Sequence, residues 1–284
     1  MTSTLDRPPT PSSPPRRRRR RRLLLAIVVA VLLLAAAAGA GIWWFFRGDA
    51  PDAVSLRAAT EQVIDTSATT ALDATATADT TTAAAADTAT ADTATAGTTS
   101  IAGTWTVDTS VGEFSYEDST GTFVGFRVDE ELSGLGSTTA VGRTPDVSGT
   151  VTIEGTTVTA ATIEADMTSI TTNDSRRDDK VQSALETSTY PTATFVLTSP
   201  IELGDAAASG EAVTVDATGE LTVHGVTTTV TIPMQAQLVD DTVVLVGSIP
   251  ITFSDYGVSV PEAPIVLSAS DTGTLELQLF LRQT

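Results

Sequence analysis

From Ile101 to Thr284 apolar residues recur at every second position. Trp105 and Val107 alternate with Thr104, Thr106 and Asp108, and Val151 and Ile153 with Thr150, Thr152 and Glu154. Ile163, Ala165 and Met167 stand opposite Glu164 and Asp166; Phe195 and Leu197 opposite Thr194 and Thr198; Leu221 and Val223 opposite Glu220 and Thr222. Val230, Ile232 and Met234 share a face, as do Ile249, Ile251 and Phe253, while Leu275, Leu277, Leu279 and Leu281 alternate with Glu276, Gln278 and Phe280. A period of two is the strand period, because successive side chains point to opposite faces. Turn signals at Glu154-Gly155, Leu203-Gly204-Asp205 and Asp240-Asp241 separate the runs. The pattern predicts an antiparallel all-β domain with one buried face, a barrel or a sandwich. One stretch breaks it. Asn173 to Leu185 opens on cap-type residues, continues with acids and places Val181, Ala184 and Leu185 on one face, so it predicts a short helix ended by Thr187 to Pro191. Such a helix is a lid or plug for a barrel mouth, or a plain packing connector.

The first hundred residues follow other patterns. Leu23 to Phe46 is 24 residues without a charge. As a helix it reaches about 36 Å, more than the roughly 30 Å hydrocarbon core of a bilayer. Arg16 to Arg22 abut its start and Trp43, Trp44, Phe45 and Phe46 close it. The positive-inside bias then places residues 1–22 in the cytoplasm and everything after Phe46 outside. A cleaved export signal cut near Ala38-Gly39-Ala40 is the rival reading, but the apolar run continues past the alanines into the aromatics. Residues 47–100 read as a disordered stalk: from Thr66 onward they are almost only Ala, Thr and Asp, which cannot form a core. Within it, Pro51 to Asp65 holds Val54, Leu56, Val63 and Ile64, enough for a short helix of poor periodicity.

Charge sharpens this division. The formal net charge is −19. Residues 1–48 hold nine Arg against Asp6, +8, whereas residues 49–284 hold seven bases against 34 acids, −27. An acidic body does not track a phosphate backbone, so the exported part is not expected to bind nucleic acid. With no Cys and one His, disulfides, thiolate metal sites, cysteine nucleophiles and multi-histidine centres are all excluded, and no cofactor is expected. The acid pairs Glu130-Glu131, Asp178-Asp179 and Asp240-Asp241 diverge on a strand or a helix and form no obvious dyad. Asp178 beside Arg176 and Arg177 reads as a local charge network. His224, opposite the face of Leu221 and Val223, reads as a surface or hydrogen-bonded strand histidine, with a general base as the sharper alternative. No nucleophile elbow or phosphate loop is present. What remains is the apolar interior. A filled core and a ligand cavity both require the same alternation.

Five segments in order carry a resemblance: Trp105-Thr106-Val107-Asp108; Ala165-Asp166-Met167-Thr168-Ser169-Ile170-Thr171-Thr172-Asn173-Asp174 leading into Arg177-Asp178; Tyr190-Pro191-Thr192-Ala193-Thr194-Phe195; Gly219-Glu220-Leu221-Thr222-Val223-His224-Gly225-Val226-Thr227; and Ser254-Asp255-Tyr256-Gly257-Val258. Together they resemble the YceI-like family of polyisoprenoid-binding, lipocalin-like envelope proteins, over about residues 103–282. The resemblance implies an eight-stranded antiparallel lipocalin-like barrel with one short helix, a long apolar ligand such as a polyprenyl chain threaded through it, and no catalysis. This chain departs from the family at Asp178-Asp179-Lys180-Val181, where Asp-x-His-Leu is common, and around Leu185, where an aromatic is usual.

The whole reads as a single-pass protein of the cell membrane: a cytoplasmic tip (1–22), a transmembrane helix (23–46), a stalk (47–100) and an extracytoplasmic barrel (101–284). Its expected partners are the membrane, through Leu23–Phe46, and an isoprenoid or similar lipid. Parity selects Phe126, Ile163, Met167, Phe195, Leu197, Leu221, Val223, Ile251, Phe253 and Leu279 as pocket lining. The alternative is a packed barrel serving adhesion or envelope assembly through its acidic exterior, with no small ligand.

Overall fold

Threonine and the β-branched aliphatics dominate the body of the chain, and both fit a pleated, half-buried surface. In the computed structural model, which describes residues 50–64, 100–116, 120–132, 136–260 and 266–284, they form thirteen strands. The predicted membrane span, the tip and residues 47–49 and 65–99 of the predicted stalk lie outside the described residues. The strands are β1 (Gly103–Val107), β2 (Phe123–Leu132), β3 (Gly136–Thr144), β4 (Val147–Glu154), β5 (Thr157–Asp166), β6 (Thr171–Thr172), β7 (Thr192–Leu197), β8 (Ile201–Glu202), β9 (Val213–Val223), β10 (Val226–Val239), β11 (Thr242–Thr252), β12 (Val266–Ala269) and β13 (Thr272–Gln283).

Eight of them run β1-β4-β5-β7-β9-β10-β11-β13, and pairing of β13 with β1 closes the ring. Every pairing is antiparallel. Closure leaves no unpaired edge in this ring, which is how a barrel satisfies its backbone. Three staves are composite. β2 takes over from β1 along β13, with Phe123 opposite Gln278, and the described residues 108–116 and 120–122 lie outside both strands. β3 runs into β4 through Pro145-Asp146, and β6 extends the β5 side along β3.

The expected single buried face is seen on β4, β9 and β10, where outward residues are exposed or half-buried. It does not hold on β13. There Glu276, Gln278 and Phe280 point outward and are nonetheless buried. On β11, Val244 and Val246 are buried outward as well. Two segments cover them. The segment leading into β2 lays Gly121 O against Gln278 Nε2 (2.9 Å) and Thr122 Oγ1 against the Phe280 amide (3.3 Å). A helix, α1 (residues 56–64), packs Ala59 and Val63 on Val244, Val246 and Phe280. Residues 56–64, in the part of the predicted stalk where Pro51 to Asp65 allowed a short helix, are thus helical and partly buried; their few apolar residues suffice because a matching apolar stripe waits on the barrel.

One short helix was expected in the barrel domain, and its described residues hold two. Residues 173–185 form a 3₁₀ turn (Ser175–Arg177) followed by α2 (Asp178–Ala184). The turn signal at Leu203-Gly204-Asp205 opens the one-turn α3 (Asp205–Ala208). Among the described residues no helix is long and apolar enough to cross a membrane.

Candidate functional site

Inward residues from all eight staves enclose a cavity of about 190 Å³. At the end carrying α2 its wall is Met167, Ile170, Leu185, Phe253, Tyr256 and Val258; at the opposite end it is Trp105, Ile153, Leu203, Val243 and Leu281. Leu275, Leu277 and Leu279 lie between. The lining is almost wholly apolar. Thr194, Tyr256 and Trp105 are the lining residues with a side-chain O or N, and the Trp105 indole donates to Ile101 O at 2.8 Å. Burial pushes the Tyr256 phenol pKa up, with a hydrogen bond from Thr228 opposing.

All ten residues selected by parity lie on this wall: Phe126, Ile163, Met167, Phe195, Leu197, Leu221, Val223, Ile251, Phe253 and Leu279. Met167 and Phe253 do so from 3₁₀ turns rather than from strands. Sequence reasoning left out Leu245, Met234, Tyr256 and Leu185, which also line it. The first two carry the same period-two signal; the others come from irregular segments, where parity has no meaning.

Wall glycines explain why the lumen is open. The Phe126 ring lies over Gly142, its cross-strand partner: a Cβ on Gly142 would sit 2.5 Å from the ring. Phe195 covers Gly219, Phe253 covers Gly273 and Met234 covers Gly247 in the same way. Large side chains folded flat onto backbone leave the axis free, and Ala161, Ala165, Ala193, Ala217 and Ala236 add room.

Polar groups brace the α2 end. Asp178 Oδ1 accepts from the Thr172 amide (2.8 Å) and hydroxyl (2.7 Å), and Gln182 Nε2 donates to Ile170 O at 3.1 Å. The charge network expected around Asp178 instead runs through its neighbours: Arg176 pairs with Asp174 (2.6 Å) and Arg177 with Glu130 (2.8 Å). Burial raises the Glu130 pKa, against the pull of Arg177. Leu185, just past α2, reaches the cavity.

His224 is not a strand residue. With Gly225 it forms the two-residue β9–β10 turn, with φ +53° and +73° respectively, as a type I′ hairpin demands. Its ring stacks edgewise on Tyr190 (4.6 Å between centroids) and its Nδ1 lies 3.1 Å from Tyr256 O. Nε2 is buried, 3.7 Å from a Glu186 oxygen. The histidine thus ties three connections together at the barrel end and does not line the lumen. Among the described residues no group of three or more metal-ligating side chains occurs.

Outside the barrel wall lies a buried ion pair. Arg143 Nε and Nη2 both donate to Glu276 Oε1, at 2.9 and 2.5 Å, with the two side chains 0% and 1% exposed. The guanidinium stacks on Phe123 at 4.0 Å. Burial pulls the Arg143 pKa down while Glu276 pushes it back. Tyr116 closes the cluster, accepting from the Arg143 amide and donating to Thr171 O. Burial raises its pKa.

No curated protein matches the chain. Solved structures similar to it include BcnA of Burkholderia cenocepacia (22% identity, 56% of this chain and 95% of that one, TM-score 0.43). A polyisoprenoid binding domain from Saccharophagus degradans is similar as well (20%, 63% and 98%, 0.47), as is the YCEI protein of Campylobacter jejuni (19%, 50% and 84%, 0.42). The YceI-like domain model matches residues 105–281, from the first barrel strand to the last, and the chain belongs to the YceI-like family.

Proposed function

We propose that the barrel holds a long apolar ligand, a polyisoprenoid or similar lipid chain, and performs no chemistry on it. One observation carries this reading: a lumen walled by aliphatic and aromatic side chains from end to end. Water there lacks the two to four polar partners it needs, and a dry apolar cavity of roughly 150 Å³ is already enough to take up benzene. Each buried methylene contributes roughly 0.8 kcal/mol, so a chain of them binds without a hydrogen bond. The lining reaches from the α2 end to the opposite end, as a chain threaded along the axis requires. The packed-barrel alternative calls for a filled interior, against which the cavity counts.

The uncharged run Leu23–Phe46, with Arg16 to Arg22 before it, supports an anchor in the cytoplasmic membrane and a barrel on its outer side. Native mass spectrometry of the chain purified without detergent, followed by lipid extraction, tests the ligand. A polyprenyl-class adduct is expected. A protein that stays empty and takes up no added polyprenyl alcohol would defeat the proposal.

A further inference from the structure

Residues 51–64 form a strap on the outside of the barrel. Arg127 Nη1 donates to Pro51 O at 2.7 Å and Arg143 Nη2 to Asp52 O at 3.3 Å. Beyond them α1 sets Ala59 and Val63 against Val111, Val244, Val246 and Phe280. The wall under the strap is built for cover. Elsewhere the outer surface carries many threonines and acids, as at Thr218, Glu220, Thr222, Thr229 and Thr231, whereas here it is valine, phenylalanine and a buried ion pair. Bared to water, those residues would leave an apolar patch of the kind that soluble surfaces avoid.

The other flank of residues 65–99 is also held by the barrel. Ile101 is buried in the main core and its carbonyl takes the Trp105 indole bond. The described segments on both sides of residues 65–99 are therefore held by the barrel.

We infer that this strap, not the low-complexity run, ties the barrel to what precedes residue 50, so that the working tether is residues 47–50. A flexible spacer of about fifty residues would average roughly 40 Å. Five peptide steps, Phe46 to Pro51, span at most about 18 Å. The membrane readout that follows rests on the anchor proposed above.

The test places one protease recognition sequence between Asp79 and Thr80 of the full chain and cleaves it to completion. In membranes from producing cells the cut barrel is expected to sediment with the membrane. Val63→Asp, which puts a charge into the strap contact, is expected to raise the released fraction at least tenfold, with cooperative unfolding of the uncut variant as the check on folding. Release of the cut, unsubstituted barrel would overturn the inference, and so would retention of the Val63→Asp barrel. If the uncut chain does not sediment with membranes, the anchor fails on its own account. The strap is then read on the soluble chain, where co-elution of the two fragments supports it and their separation refutes it.

Discussion

At the scale of single residues, Arg143 and Glu276 are the most consequential pair outside the lumen. Glu276 alternates with leucines along β13 and reads as a solvent-facing strand acid; the structure buries it because a loop and a strap cover that side. Nothing local announces a cover supplied from more than 150 residues away. Removing one partner of a buried pair strands the other charge in low dielectric, which costs about 3–5 kcal/mol. Glu276→Ala is therefore expected to lower stability by about that amount in urea unfolding. The double change Arg143→Met with Glu276→Leu should recover most of it, since a well-packed apolar pair carries no desolvation cost. A single substitution costing under about 1 kcal/mol would contradict this. His224 makes a similar point at a turn: its neighbours Val223 and Val226 alternate as strand residues, and only the positive φ it shares with Gly225 reveals the hairpin.

At the scale of elements, the segment from Asn173 to Leu185 was visible as a break in period; the irregular stretch begins earlier, at Met167, and its helix is shorter than the pattern suggested. Two carboxylates shape it through short-range bonds. Asp166 accepts from the Thr168 hydroxyl (2.6 Å) and amide (2.8 Å), and Asp174 accepts from Arg176. These bonds hold both pKa values below the usual aspartate range. A depressed folded-state pKa stabilises the ionised form. The contribution is complete above the unfolded value of about 3.9 and is lost as pH falls through the folded values. Glu130, raised by burial and facing Arg177 of this segment, contributes in the opposite sense, losing stability as pH rises through its own range. Amide exchange across residues 167–178, corrected for intrinsic rates, should accelerate below pH 4. Asp174→Asn should reduce that acceleration; an unchanged profile would remove Asp174 from the account.

At the scale of the whole molecule, the open lumen depends on where bulk is placed rather than on how much is present. Gly142→Ala brings a methyl against the Phe126 ring alone, with no backbone atom among its near contacts, so the ring must swing toward the axis. The variant is expected to fold as a barrel, at a cost of roughly 1–3 kcal/mol for overpacking, and to bind less polyprenyl ligand. Equal lipid uptake by Gly142→Ala and the unsubstituted chain would show that the lumen at β2–β3 is not part of the binding path. The alternation from Ile101 onward determined by itself that this is an antiparallel β domain and which residues face inward, because strand period is a local property of the chain. Motifs in order identified the family. Tertiary structure alone decided the rest. Whether inward residues fill the centre depends on rings lying across glycines of neighbouring strands. Whether outward ones meet water depends on a strap and a loop arriving from distant sequence. Both are contacts between residues far apart in the chain, and periodicity does not record them.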